Sequence, residues 1–83
     1  MRLTDEQRAV LAAISGGEVL IVRFDRDALG WTLEPSGEAV PFSMVEGLMR
    51  RRALSFGDPR RLGLGRFEAK YAITDLGRAG ALS

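Results

Sequence analysis

The stretch that decides the fold begins Met44-Val45-Glu46-Gly47-Leu48-Met49-Arg50-Arg51-Arg52-Ala53-Leu54-Ser55-Phe56. It passes through a glycine-rich segment from Gly57 to Phe67 and closes with Glu68-Ala69-Lys70-Tyr71-Ala72-Ile73-Thr74-Asp75-Leu76-Gly77-Arg78. Phe42, Val45, Leu48 and Met49 recur three and four residues apart, the pattern of a helix with one buried face. Pro41 and Ser43 both suit the start of this helix; if Ser43 is the N-cap, Glu46 three residues on completes a capping box, and the helix is predicted over Ser43 to Arg51. Gly47 costs this helix a little, and its small size leaves room for a close approach to another backbone. Arg50, Arg51 and Arg52 end this helix, where positive charge complements the helix dipole. The same arginines are placed to meet phosphates, and the sequence leaves both roles open.

Beyond that helix, Ala53 to Phe56 reads as a strand with Leu54 and Phe56 on one face. Its partner is Glu68 to Ile73, with Tyr71 and Ile73 inward. Between them the loop from Gly57 to Phe67 carries Arg60, Arg61 and Arg66 against one acid, Asp58. Loop tips commonly carry binding residues, and a solvated hairpin tip would read the same way. Leu62, Leu64 and Phe67 are expected to fold back onto the core. Thr74 should cap a last helix through Leu82, with Leu76 and Ala79 completing the core; Gly77 and Gly80 weaken that helix unless it is docked.

Outward toward the N-terminus, Leu3-Thr4-Asp5-Glu6-Gln7 opens a helix, with Thr4 as N-cap and Gln7 at the capping-box position. Leu11 and Ile14, flanked by Val10 and Gln7, form its apolar stripe, and Gly16-Gly17 stops it. Glu18 to Phe24 is β-rich. Asp25 to Gly30 makes a polar turn, and Trp31 to Glu34 alternates as a returning strand, Trp31 and Leu33 against Thr32 and Glu34. Pro35-Ser36-Gly37-Glu38 makes a second turn. The expected fold is one α+β domain over residues 1–83, in the order α-β-β-α-β-β-α.

Composition narrows function by exclusion. With no cysteine and no histidine among 83 residues, disulfides, thiolate metal sites and the commonest general base near neutral pH are absent. No catalytic residue, metal ligand or cofactor is assigned. Asp25 and Asp27 read as turn formers rather than metal ligands, Gly63-Leu64-Gly65 lacks the lysine of a phosphate-binding loop, and Ser36, Ser43, Ser55 and Ser83 have no visible base. No apolar run is long enough to cross a membrane and the N-terminus lacks a signal-peptide pattern, so no membrane association and a cytoplasmic location are expected.

The net charge of +1 conceals an asymmetry. Residues 1–40 hold four basic side chains (Arg2, Arg8, Arg23, Arg26) and seven acidic ones, whereas residues 41–83 hold eight basic and four acidic. All but Lys70 of the basic residues are arginine, whose planar fork suits phosphate and carboxylate oxygens.

The run Arg52-Ala53-Leu54, the hairpin after it, and Tyr71-Ala72-Ile73-Thr74-Asp75-Leu76-Gly77-Arg78 together resemble the second half of a winged-helix DNA-binding domain. There a recognition helix runs into a strand, a wing and a returning strand. The first helix, Leu3 to Ile14, resembles that family's first helix more loosely. The chain departs from the family in one respect: a hairpin stands where the family places a helix directly before the recognition helix. This layout is also similar to small bacterial proteins of the YjhX type, which are toxin-like. The resemblance implies an atypical winged-helix-like domain that binds double-stranded DNA, with Arg50, Arg51, Arg60, Arg61 and Arg66 on phosphates and transcription regulation as its role. A protein this small would bind weakly alone, so specificity calls for a homodimer. The alternative is a protein-interaction module, a small inhibitor or accessory factor, since an acidic half and a basic half suit pairing with a larger partner.

Overall fold

The computed structural model describes residues 3–82. Arg2, counted among the basic residues of the N-terminal half, and Ser83, read as a hydroxyl without a base, lie outside the described residues. Helix α1 (Asp5–Ser15) begins at the expected capping box: Gln7 N–H donates to Thr4 Oγ1 at 3.1 Å, and Thr4 N–H donates to Gln7 Oε1 at 2.9 Å. Gln7, Leu11 and Ile14 form its buried face. Strands β1 (Val19–Asp25), β2 (Ala28–Glu34) and β3 (Glu38–Val40) follow as an antiparallel meander. Helix α2 (Phe42–Arg50) leads into β4 (Leu54–Phe56), then β5 (Arg60–Gly63), β6 (Arg66–Ile73) and α3 (Asp75–Leu82). The sheet order is β3-β2-β1-β6-β4, with β5 also paired to β6.

The α+β class holds, and the observed order is α-β-β-β-α-β-β-β-α. The two strands beyond expectation, β3 and β5, are three and four residues long. Both lie in segments rich in turn residues, where so short a strand leaves too little alternation to register. The polar turn expected over Asp25 to Gly30 shrinks to Arg26 and Asp27, because the pairing continues to Asp25 opposite Ala28.

Of the two starts that the sequence offered for α2, the structure takes the first, and the Ser43–Glu46 capping box does not form. Pro41, not Ser43, holds the N-cap position; its carbonyl accepts from the N–H groups of Met44 and Val45, and no side chain caps the helix. Ser43 therefore lies inside the first turn, and Glu46 reaches toward Arg50 at 3.9 Å. Proline suits this place because it has no N–H to leave orphaned and its fixed φ feeds the first turn. At the other end, Arg52 N–H donates to the Met49 carbonyl and Ala53 N–H to the Leu48 carbonyl. This is a Schellman stop, with Arg52 at φ 58° where glycine is the usual occupant.

Strand register separates two faces. Leu20, Val22 and Phe24 on β1 share one face with Leu29, Trp31 and Leu33 on β2. Phe67, Ala69, Tyr71 and Ile73 on β6 lie on the same side, as do Leu54 and Phe56. The reverse face carries Arg23, Thr32, Glu34, Glu68 and Lys70. The helices cover only one end of the apolar face. There Leu11, Ile14, Leu20, Leu33, Val40, Val45, Leu48, Ala53 and Leu54 form a single buried cluster.

Two expectations about the core fail. Leu76 is 61% exposed and Ala79 faces solvent; α3 docks instead through Gly77, Gly80 and Ala81. Thr74 sets this approach: its Oγ1 accepts from Gly77 N–H and donates to the Arg52 carbonyl, while its N–H donates to the Ala53 carbonyl. The helix lies so close to the start of β4 that only glycine fits at position 77. Nor do the loop apolar residues fold back onto the core. Leu64 is 87% exposed, and Leu62 and Phe67 are each partly in solvent. Phe67 lies beside Phe24 on the apolar face of the sheet, ring centroids 6.5 Å apart, beyond the end that the helices cover.

Candidate nucleic-acid interface and an uncovered aromatic face

The segment from Gly57 to Phe67, expected as a loop, instead forms β5 and the start of β6, a hairpin turned at Leu64 and Gly65, with Gly65 at φ 71°. Arg60 pairs in register with Glu68 and Arg61 with Phe67, so the two neighbouring arginines leave the strand on opposite faces. Both are exposed, and neither makes an ion pair among the described residues. Arg61 Nε donates to the Gly63 carbonyl at 3.4 Å. Arg66 lies 3.6 Å from Asp25 across the β1–β6 pair. The tip is tethered, because Arg26 N–H donates to the Gly65 carbonyl at 2.8 Å.

That hydrogen bond brings a further arginine to the same end of the sheet. Arg26 is 40 residues from Arg66 in sequence and sits between two aspartates in a turn, so nothing in the sequence tied it to the wing. With it, this end holds Arg26, Arg60, Arg61 and Arg66 against Asp25, Asp27 and Asp58. The surplus is small. Few phosphates can be neutralised there, and affinity from this surface alone is modest.

Arg50 and Arg51 lie elsewhere. Arg50 is exposed beside Glu46, and Arg51 is half-buried at the C-terminal end of α2. Leu54 pairs with Ile73 and Gly63 with Arg66, so seven residues of β6 separate the helix end from the wing tip. At about 3.3 Å per residue that is roughly 23 Å. The five arginines therefore form two groups rather than one patch.

On the reverse face Arg23 is engaged by two carboxylates, while Lys70 makes no ion pair among the described residues. Arg23 donates to Glu34 through Nη1 at 2.8 Å and Nη2 at 3.1 Å, and to Glu68 through Nε at 2.9 Å. Hydrogen bonding to Glu34, then to Glu68, raises the Arg23 pKa further above its ordinary value; hydrogen bonding to Arg23 holds Glu34 below the usual carboxylate range. To reach Glu34, Arg23 extends over the Ile21–Thr32 pair, and Ile21 is buried on this otherwise polar face.

The apolar face continues beyond the helices. Val22, Phe24, Leu29, Trp31, Phe56 and Phe67 line a hollow of about 250 Å³ there. Trp31 Nε1 donates to Tyr71 Oη at 3.1 Å, and the Phe56 ring stands edge-on to Tyr71 at 5.2 Å. This surface was missed from sequence, although its signal was present. Phe24, Leu29 and Phe56 have the same strand parity as core residues, yet the helices are too few to cover strands of seven and eight residues. Among the described residues no helix is long and apolar enough to cross a membrane, and no cluster of acidic side chains could hold a metal ion.

Compared with known proteins, this chain matches no family, no curated protein and no solved structure.

Proposed function

We propose that this protein is an atypical winged-helix-like domain that binds double-stranded DNA, with the β5–β6 hairpin as its main contact and the end of α2 as a second. The observation that carries this reading is the pair Arg60 and Arg61, exposed, free of ion pairs among the described residues and directed to opposite sides of one hairpin. A wing entering a groove is flanked by a sugar-phosphate backbone on either side, and positive charge on both faces suits that placement. Arg60 and Arg61 pair five and six residues along β6 from Ile73, roughly 17–20 Å or about five to six base pairs at 3.4 Å each, so both groups can reach one duplex.

Topology supports the same reading. Strands β1, β6 and β4 are neighbours, α2 runs directly into β4, and the β2–β3 hairpin stands where a winged-helix domain has its further helix. Phosphate contacts position such a protein without reading sequence, and a role in transcription regulation follows from the resemblance alone. The test is amide chemical-shift mapping of labelled protein with a short duplex. Shifts grouped at residues 60–66 and 50–52 are expected; shifts confined to other surfaces would overturn the assignment.

A second reading, a protein partner, is favoured by one observation: the uncovered aromatic half of the sheet.

A further inference from the structure

DNA binding through arginines leaves the uncovered half of the apolar face without a use. Its floor is Val22 and Ala69, opposite one another on β1 and β6 and both buried by their neighbours. Phe24 and Phe67 rise at one end of the floor and Tyr71 at the other, while Trp31, opposite Val22 on β2, borders the floor and donates to Tyr71. Leu29, 56% exposed on the β2 side, and Phe56, 50% exposed on the β4 side, stand as knobs at its flanks. We propose that a second copy of this chain docks on this face, sheet against sheet, about a two-fold axis over the Val22–Ala69 floor.

Shape argues first for a copy rather than another protein. A two-fold contact uses the same patch on both subunits, so that patch must offer both a projection and the recess to receive it. This face has both: a hollow of about 250 Å³, and apolar knobs beside it. Sheets pack face to face about 10 Å apart, a spacing that interdigitated side chains of this size fill.

Charge points the same way. The margin near β5 carries Asp58 and Arg61, the latter on this side of the sheet by its pairing with Phe67. The margin at the β1–β2 turn carries Arg26 and Asp27. Each margin balances one acid with one base. A polyanion or a strongly charged partner would call for an excess of one sign, whereas a balanced rim can face itself.

Area and edges complete the case. With aromatic rings of roughly 200 Å² each, the exposed parts of Phe24, Leu29, Phe56, Phe67 and nearby Phe42 amount to roughly 400–500 Å². A standard interface uses about 800 Å² per partner, somewhat more than half of it apolar, so the patch supplies that apolar share. Association along an edge is poorly served: β3 and β4 have three residues each, Pro59 follows β4, and β5 is bulged between Arg61 and Gly63. The face, not the edge, is the joining surface.

The experiment is sedimentation velocity of the full chain from micromolar to submillimolar concentration, repeated on Leu29→Lys and Phe56→Lys with far-ultraviolet circular dichroism as the folding control. The expected result is a concentration-dependent rise to twice the 9.1 kDa chain mass. Each substitution should weaken the dimer by at least about thirtyfold, the effect of losing an interface hot spot. If either lysine variant loses its folded spectrum, Leu29→Ala and Phe56→Ala replace them. A chain that stays monomeric throughout overturns the proposal and hands the face to a different protein. A dimer that withstands both substitutions overturns it equally, since its contacts then lie elsewhere. Arg61 borders the docking face whereas Arg60 leaves the strand on the reverse face, so DNA binding by the hairpin is read separately, by titration of each arginine variant.

Discussion

A Cβ placed on Gly77 would lie 2.2 Å from the carbonyl oxygen of Ala53 and 2.8 Å from Ile73 Cγ1. The first neighbour is backbone, fixed in turn by the hydrogen bond from Thr74 N–H, so it cannot yield without lifting α3 from β4. Gly77→Ala is therefore expected to destabilise the fold by at least about 2 kcal/mol, within the range for overpacking, despite alanine's better helix propensity. In a domain of this size that lowers Tm by roughly 10 °C. At Gly80 the obstruction is Leu3 Cδ1, the far end of a flexible side chain, at 2.6 Å. Gly80→Ala should cost much less, and thermal melts of the two variants check the contrast.

Arg52 ends α2 at φ 58°, a conformation that strains a residue bearing a Cβ. Its carbonyl accepts from Thr74 Oγ1, a bond independent of the side chain at position 52. Arg52→Gly is expected to stabilise the protein by about 0.5–1 kcal/mol, the gain from relieved strain exceeding the added freedom of the unfolded chain. Urea denaturation would show a higher midpoint with an unchanged slope.

The Arg23–Glu34 pair predicts a pH dependence. Its folded-state carboxylate pKa is depressed by hydrogen bonds from Arg23. The stabilisation is thus fully present above the unfolded carboxylate value, about 4, and is lost as pH falls through the depressed folded value. The raised pKa of Arg23 acts only at extreme alkaline pH. Both side chains are partly exposed, so the effect is modest and screened by salt. Glu34→Gln should be less stable than wild type at neutral pH, and the gap should close on acidification. A gap that persists unchanged into acid would show that the ion pair is not its source.

Much of the fold was legible from local chemistry. The Thr4–Gln7 capping box, the Thr74 cap and the alternation of Trp31 and Leu33 against Thr32 and Glu34 each rest on interactions within a few residues. What escaped sequence depended on distance or extent. Pro41 and Ser43 both read as helix starts, and only the fold shows that the chain enters the helix at Pro41. Leu76 and Ala79 fit an apolar stripe, yet the close approach set by Thr74 selects the glycine face of α3. The site divides likewise. Arginines between Gly57 and Phe67 were readable, but their separation onto two faces needed the Arg60–Glu68 and Arg61–Phe67 register, and Arg26 joined them only through its bond to Gly65. The aromatic half-face is a property of strand length compared with helical cover, which no short window contains.

The most direct test of DNA binding through the hairpin is a fluorescence-anisotropy titration against mixed-sequence duplex at several salt concentrations, for wild type and Arg60→Ala/Arg61→Ala. Wild type should bind with log affinity falling linearly against log salt. The double variant should bind more weakly, its slope reduced by about 1.8 per chain, or 0.9 for each phosphate contact removed. Equal affinity and equal slope in the two proteins, or no wild-type binding at low salt, would contradict the hairpin as the DNA contact.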